Sequence, residues 1–586
     1  MLWLATIGAV TALNLTVGPA SHHLVILTDL LALSEDAIVG VGLAAFLAVV
    51  PFLTLPEAAS EGMQALAARF GGRAVLAAAV AVAALAFAGW WQVFQAWPLS
   101  GDEFWAAFDT DILRHGRLMA PIPPAWGPYV HALQPTWRLE TPDHAFWAST
   151  YLPVNAAARA AFALAGSPAL AGPAWSALAI GLTWDLARRL WPERRDAAFV
   201  AAILLASSAQ LIVTAMTPYA MAAHLALNLA WLSLFLRRGA LAQAGAIAVA
   251  FLATGLHQWI FSPLFAAPFI VQQWIWGSRR TAALHAIAYG LICAFWIAWP
   301  GLMFAAHGYP FGAPSHGAAA YALANAFNPF SGGLMAENLL RLTTWQNLIT
   351  IPLALVGAAW AVRERSSPTQ TSERVLPEKA APAFSERALA AMAAGIALIL
   401  VFLLLITPFQ GHGWGYRYLH GYLGSLALLA TGAFVRLTAD APGRRRAWAV
   451  FAAASAFSIL VCLPLRMLQT RTYAAPAAAN WRVLTRDGAE VTIVDVDSIW
   501  FGMDLVRNDP FLTTQPRVMR LDALAPAEIA ALCAAHSTRL LTGADEAITN
   551  LSFQTAAEKT RRTRLLALAG APPCLPPVAV PPRPRA

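Results

Sequence analysis

Ser100-Gly101-Asp102-Glu103-Phe104-Trp105 follows almost directly on a long apolar run, Ala74 to Trp97. That junction decides how the chain is read. A carboxylate pair is costly inside hydrocarbon and cheap at its edge, so the stretch predicts a spanning helix that reaches water near residue 100. Similar apolar runs recur along the chain. Of its 586 residues 59% are hydrophobic and only 12% charged, with mean hydropathy +0.57, whereas a soluble domain carries about 25% charged residues. Such a chain cannot cover itself with polar surface, so its solvent is a lipid bilayer.

A spanning helix needs roughly 20 apolar residues. Candidate spans lie at about 1–17, 37–55, 73–97, 168–187, 196–214, 220–236, 240–256, 259–276, 281–305, 345–362, 389–407, 419–436 and 447–465. The arginines orient them. Arg69 and Arg73, Arg188 to Arg195, Arg237 and Arg238, Arg279 and Arg280, Arg363 and Arg365, and Arg444 to Arg446 fall on one side if the spans number thirteen. By the positive-inside rule that side is cytoplasmic. The N-terminus is then inside, and the polar tail from about Leu465 is outside. The tail reads as a small α/β domain, with strands at Val491 to Val494 and Thr538 to Thr542 and a helix from Pro526 to Ala534. Its Pro-rich end, Pro572 to Pro582, reads as extended or disordered. The fold class expected is an all-α polytopic membrane protein of about 13 transmembrane helices, with a small C-terminal periplasmic α/β domain.

The net charge of +8 comes almost entirely from arginine; Lys379 and Lys559 are the only lysines. The arginines fall between apolar runs, and no basic patch is interleaved with aromatics, so nucleic acid is not an expected partner. The apolar N-terminus lacks a basic flank and reads as a retained helix. Of the four cysteines, Cys293 and Cys462 lie in apolar runs. Cys533 and Cys574 lie in the tail, where they either pair in an oxidising compartment or stay as thiols.

With this topology the polar chemistry collects on the outer face. It comprises the loop from about Pro98 to Ser167, the turn Thr217-Pro218-Tyr219, the turn at His257, the loop from His307 to Thr344, and Gly411 to Tyr418. From Asp102 to Leu113 the spacing predicts an amphipathic helix lying in the membrane interface, with Phe104, Trp105, Phe108, Ile112 and Leu113 as its apolar face. Asp102 and Glu103 at its start suit the helix dipole, so a plain helix-capping role stands beside a chemical one. Asp109 and Asp111 read as its solvated face. His257 interrupts an apolar stretch, and an ionisable group there is a functional candidate by default; helix-turn geometry alone would also explain it. Tyr219 and His224 are weaker candidates of the same kind. His22, His23, His412 and His420 lack partners at metal-ligand spacing. No metal or other cofactor is expected, although a divalent ion at Asp102 stays compatible with the sequence.

Asp102-Glu103 with an aromatic two residues on, followed by Ile112-Leu113-Arg114-His115-Gly116 and Pro121, resembles the first outer loop of GT-C-type glycosyltransferases. The branch it resembles contains the protein O-mannosyltransferases and lipid A aminoarabinose transferases. Tyr151-Leu152-Pro153, Gly166 and Asp185-Leu186-Ala187-Arg188-Arg189-Leu190 resemble a second block of that family, and Trp414-Gly415-Tyr416-Arg417-Tyr418-Leu419 a third. The resemblance covers about residues 73–440. It divides the chain into extra N-terminal helices (1–72), a GT-C-like membrane domain with outer loops 98–167 and 306–344 (73–465), and the periplasmic domain with its Pro-rich end (466–586).

The resemblance implies a sugar donor carried on a polyprenyl phosphate, and a glycan, lipid or protein acceptor, met at the periplasmic face of a bacterial inner membrane. Asp102 would be the base that takes the acceptor's proton, with Glu103 orienting the acceptor or sharing that role. Direct attack would invert the anomeric centre. Arg417, or less strongly Arg138, would hold the lipid phosphate; an arginine snorkelling among Trp414, Tyr416 and Tyr418 is the alternative. Tyr219, His224, His257, Trp414 and Tyr418 would line the substrate site. A lipid or oligosaccharide transporter is the competing class, and a catalytically silent scaffold a third. Transporters place polar groups near midplane, and here the midspan positions are almost free of charge.

Overall fold

The computed structural model describes residues 36–133, 137–312, 329–365, 380–406, 410, 413–486, 488–496, 499 and 502–542. The candidate span 1–17, His22, His23, His412, Cys574 and the Pro-rich end lie outside them. From 37–55 onward, every candidate span falls on a helix. Six of these are Ala37–Val49, Glu57–Gln92, Ala171–Leu190, Met221–Phe235, Ala240–Thr254 and Arg279–Ala306. Among the described residues five helices are long and apolar enough to cross a membrane, or seven if two bent pairs each count as one span. The chain is therefore a polytopic helical membrane protein.

The helix ends depart from the sequence expectation where good helix formers run past the apolar stretch. Glu57–Gln92 is 36 residues, about 54 Å at 1.5 Å per residue. It starts well before the expected 73 because Ala and Gln carry the helix through polar residues. The expected span 196–214 is instead two helices, Arg195–Ala206 and Ala209–Ala215, bent by 57°. Adjacent serines make the bend: Ser207 Oγ donates back to the Ile203 carbonyl at 2.7 Å, and Ser208 Oγ accepts from the Leu211 amide at 3.1 Å.

The chain forms two compact units. The first gathers the described residues of 36–89, 169–297 and 329–469. Its helices pack closely where small residues let backbones approach: a Cβ on Gly357 of Thr350–Arg365 would sit 2.1 Å from the Leu429 carbonyl oxygen of Leu423–Leu437. Asp36, before Ala37–Val49, is fully buried between Arg466 (2.6 Å) and Arg341 (3.6 Å). Charges so placed must be paired.

The second unit gathers the described residues of 90–168, 298–312 and from 470 on. Three short strands, β1 (Ala120–Pro121), β2 (Arg138–Glu140) and β3 (Phe146–Ser149), form an antiparallel sheet in the order β1-β3-β2, with Ala120 opposite Trp147 and Arg138 opposite Ser149. In the tail, β4 (Val491–Val494), β5 (Arg517–Arg520) and β6 (Thr538–Leu541) form a parallel sheet, with Val491 opposite both Arg517 and Thr538. The expected strands and the helix Pro526–Ala535 are present. Strand β5 has no counterpart in the sequence reading, because Arg-Val-Met-Arg hides two buried residues between charges. The tail shares its core with the loop: Val491, Ile493, Met519, Ile529 and Leu532 pack in one cluster with Trp105, Phe108, Ile112, Leu133 and Trp147. Cys533 is disulfide-bonded, while Cys293 and Cys462 are free.

Candidate functional site

The acidic pair opens the helix Gly101–Arg114. Ser100, extended at φ −100° and ψ 163°, is its N-cap, and its side chain accepts from the Glu103 amide at 3.3 Å. Trp105, Phe108 and Ile112 are each at most 2% exposed. They are buried in the protein core of the second unit, so this helix does not present those residues to lipid as the amphipathic reading expected. Its aromatic contacts are tight, with Trp105 edge-on to Phe108 at 4.9 Å and Phe108 edge-on to Trp147 at 5.4 Å.

The two adjacent carboxylates have different surroundings. Asp102 is half-buried and accepts a short hydrogen bond from the Tyr151 hydroxyl. Glu103 is fully buried. Its Oε2 accepts from the Leu99 amide at 2.8 Å, and its Oε1 has no hydrogen-bond partner among the described residues. Burial pushes the Glu103 pKa up to about 8, with Asp102 and Asp504 adding to the rise and the Leu99 amide and Arg507 opposing it. Arg159, itself buried, is held down to about 10 by burial, with Glu103 and Asp111 opposing. At neutral pH Glu103 is thus held mainly in its neutral form by burial.

Asp109 departs from expectation. Rather than facing solvent, it accepts from the Ser149 amide at 3.0 Å and from the Ser149 hydroxyl, and burial raises its pKa to about 6 against those two bonds. Ser149 Oγ also accepts from the Tyr151 amide at 3.1 Å. Ser149 at the end of β3 and Tyr151 just past it therefore hold Asp109 and Asp102, which lie two turns apart on one helix face. A small cleft beside Asp109 is lined by Asp109, Ser149, Tyr151, Pro153, Trp299 and Met303 among others. Asp111 does stay on the exposed face, 3.3 Å from Arg114.

Arg138, the second phosphate candidate, is committed elsewhere. Its Nε and Nη2 donate to Glu140 at 2.6 and 3.1 Å, and Nη2 also contacts His131. Arg507 of the tail was not anticipated: it is 4% exposed and its guanidinium lies 4.3 Å over the Trp97 ring.

The other candidates belong to the first unit and form their own cluster. Arg417 is 7% exposed, with its guanidinium 5.2 Å over the Tyr219 ring and 5.0 Å over that of Tyr418. Tyr418 stacks on Phe261 at 6.0 Å, and Phe261 meets His224 edge-on at 5.7 Å. His257 and His420 lie close enough to His224 to act on it electrostatically. Trp414 packs with Trp345 at 6.1 Å instead. Two glutamines missed in the sequence hold the 413–418 segment. Gln410 accepts from the Arg417 amide at 2.9 Å, and Gln210 donates to the Tyr416 carbonyl at 2.8 Å. Gln210 carried a readable signal, being a polar residue inside an apolar run. Among the described residues, no three His, Cys, Asp or Glu side chains converge as a metal site would require.

Fold and site together define a polytopic helical membrane protein with a split carboxylate pair at a helix start and an arginine–aromatic cluster in its helical unit. No family model matches the chain, and no curated protein matches it. Among solved structures it is similar to the crystal structure of ArnT from Cupriavidus metallidurans in the apo state. That likeness has 13% sequence identity and a TM-score of 0.46, and covers 78% of this chain and 94% of the other.

Proposed function

We propose that the protein is an integral-membrane glycosyltransferase of the bacterial inner membrane. It moves a sugar from a polyprenyl-phosphate donor to an acceptor hydroxyl at the periplasmic face. The observation that carries this reading is the division of labour in the acidic pair: Asp102 half-buried and held by Tyr151, Glu103 buried and protonated. Asp102 is the base. Its carboxylate takes the acceptor's proton as the acceptor oxygen attacks the anomeric carbon. The bond from that carbon to the phosphate oxygen breaks, the lipid phosphate leaves with the electron pair, and the anomeric centre inverts. Glu103 is fully buried and keeps its proton up to about pH 8; it supports the helix start from which Asp102 projects.

Arg417 is the residue we assign to an anionic phosphate, because its buried guanidinium lies over the Tyr219 and Tyr418 rings, whereas Arg138 is already neutralised by Glu140. Tyr219, Tyr418 and His224 accompany Arg417 as substrate-binding residues. The disulfide at Cys533 supports a tail in an oxidising compartment, and so a periplasmic C-terminus.

The test uses purified full-length protein in liposomes loaded with total polyprenyl-phosphate-linked sugars and envelope glycolipid. Mass spectrometry should find a new glycosidic bond and free polyprenyl phosphate. Movement of lipid-linked sugar across the bilayer with no new bond would replace this reading with the transporter.

A further inference from the structure

We infer that the tail works on the acidic pair through Arg507, a positioning residue for the turn that starts the helix Gly101–Arg114. This rests on the role proposed above for Asp102. Arg507 follows the short turn Gly502–Leu505 and is buried. Its Nη2 donates to the Leu99 carbonyl at 2.8 Å, its Nη1 to the Pro98 carbonyl and its Nε to the Asp504 carbonyl. Its charge lies over Trp97 at 4.3 Å and Phe104 at 5.5 Å, one ring on each side of the acidic turn.

Leu99 is therefore held from both ends. Arg507 grips its carbonyl, and Glu103 accepts its amide hydrogen. The next residue, Ser100, is the cap that sets the direction of Asp102. Because all three nitrogens of the guanidinium face main-chain carbonyls in a buried site, Arg507 fits the work of a clamp and not that of a phosphate ligand.

The residues around Arg507 explain what holds the clamp. Asn508 donates to the Leu133 and Val518 carbonyls at 2.7 and 2.8 Å and accepts from the Val518 amide at 2.8 Å, which fixes it to β5. The Pro510 carbonyl accepts from Trp147 Nε1 at 2.7 Å. Residues 507–510 thus strap the parallel sheet of the tail to the acidic turn, to the segment before residue 134 and to β3. The charged groups facing Glu103 across this strap are Arg507, Asp102, Asp504 and Arg159. Arg507 is the cation whose loss would let Glu103 hold its proton to higher pH.

The experiment uses full-length protein in nanodiscs as wild type, Arg507→Gln and Arg507→Lys. Infrared difference spectra follow the protonated carboxyl band that Glu103→Gln removes. Steady-state rates are measured with the lipid-linked sugar and glycolipid extracts named above. In Arg507→Gln the band should titrate at higher pH, and kcat should fall at least about tenfold with little change in KM, as expected when a reacting group is misplaced. Arg507→Lys, which keeps the charge but not the fork, should restore the titration and only part of kcat.

If Arg507→Gln fails to fold, Arg507→Lys decides alone: a wild-type kcat would overturn the proposal. So would a folded Arg507→Gln whose band and rates match wild type. A shifted band in a protein that makes no glycosidic bond in any form would leave the clamp standing and remove the glycosyltransferase reading.

Discussion

Asp102 and Glu103 are adjacent, yet Asp102 is half-buried and Glu103 fully buried. The difference is burial, and it has a thermodynamic consequence. Glu103 has a folded pKa near 8 against an ordinary 4.5, so between those values the folded chain binds a proton that the unfolded chain has released. Stability must therefore fall as pH rises through that window, by up to about 1.4 kcal/mol per pH unit. Glu103→Gln removes the titration. Thermal melts in nanodiscs should show wild type losing stability relative to Glu103→Gln between pH 5.5 and 8; parallel curves would contradict the buried neutral acid. The pair itself was legible in the sequence because two charges beside a long apolar run are conspicuous. Its partners were not. Tyr151 is 49 residues from Asp102 and Arg507 is 408 from Leu99, and no local pattern marks either contact. Asp109 looked solvated because helical spacing alone cannot show that Ser149 covers it.

At the scale of elements, apolar runs told where helices lie but not where they stop. Glu57–Gln92 overran its expected start because helix propensity continues where hydropathy fades, and 196–214 broke at two serines that compete for backbone groups. The acidic helix was read as amphipathic correctly, but its apolar face met protein where lipid was expected, since the sequence gives no warning that tail strands share its core. Helix contacts carry a separate prediction. Gly357→Ala would drive a methyl group to 2.1 Å from the Leu429 carbonyl oxygen, whereas at Gly290, in the helix Arg279–Ala306, nothing lies within 4 Å of the added carbon. Gly357→Ala should cost about 1–3 kcal/mol, seen as a lowered melting temperature in detergent. Gly290→Ala should leave it unchanged or slightly raised. Equal effects would mean that the helix Thr350–Arg365 does not pack against Leu423–Leu437 this closely.

At the scale of the molecule, composition alone required a bilayer, and the helices agree. The tail was legible as strands and a helix but not as a partner of the outer loop, because shared burial between distant segments leaves no periodicity to read. The second unit carries the carboxylate proposed as base, and the first carries the arginine proposed for phosphate. The most direct test of the central claim is the single-turnover rate of glycosidic bond formation by Asp102→Asn in nanodiscs, with wild type alongside. Asparagine keeps the size of the side chain and its bond from Tyr151 but cannot take a proton. The account predicts a rate lower by about 10²–10⁴ with donor binding retained. A rate within a few-fold of wild type would contradict it.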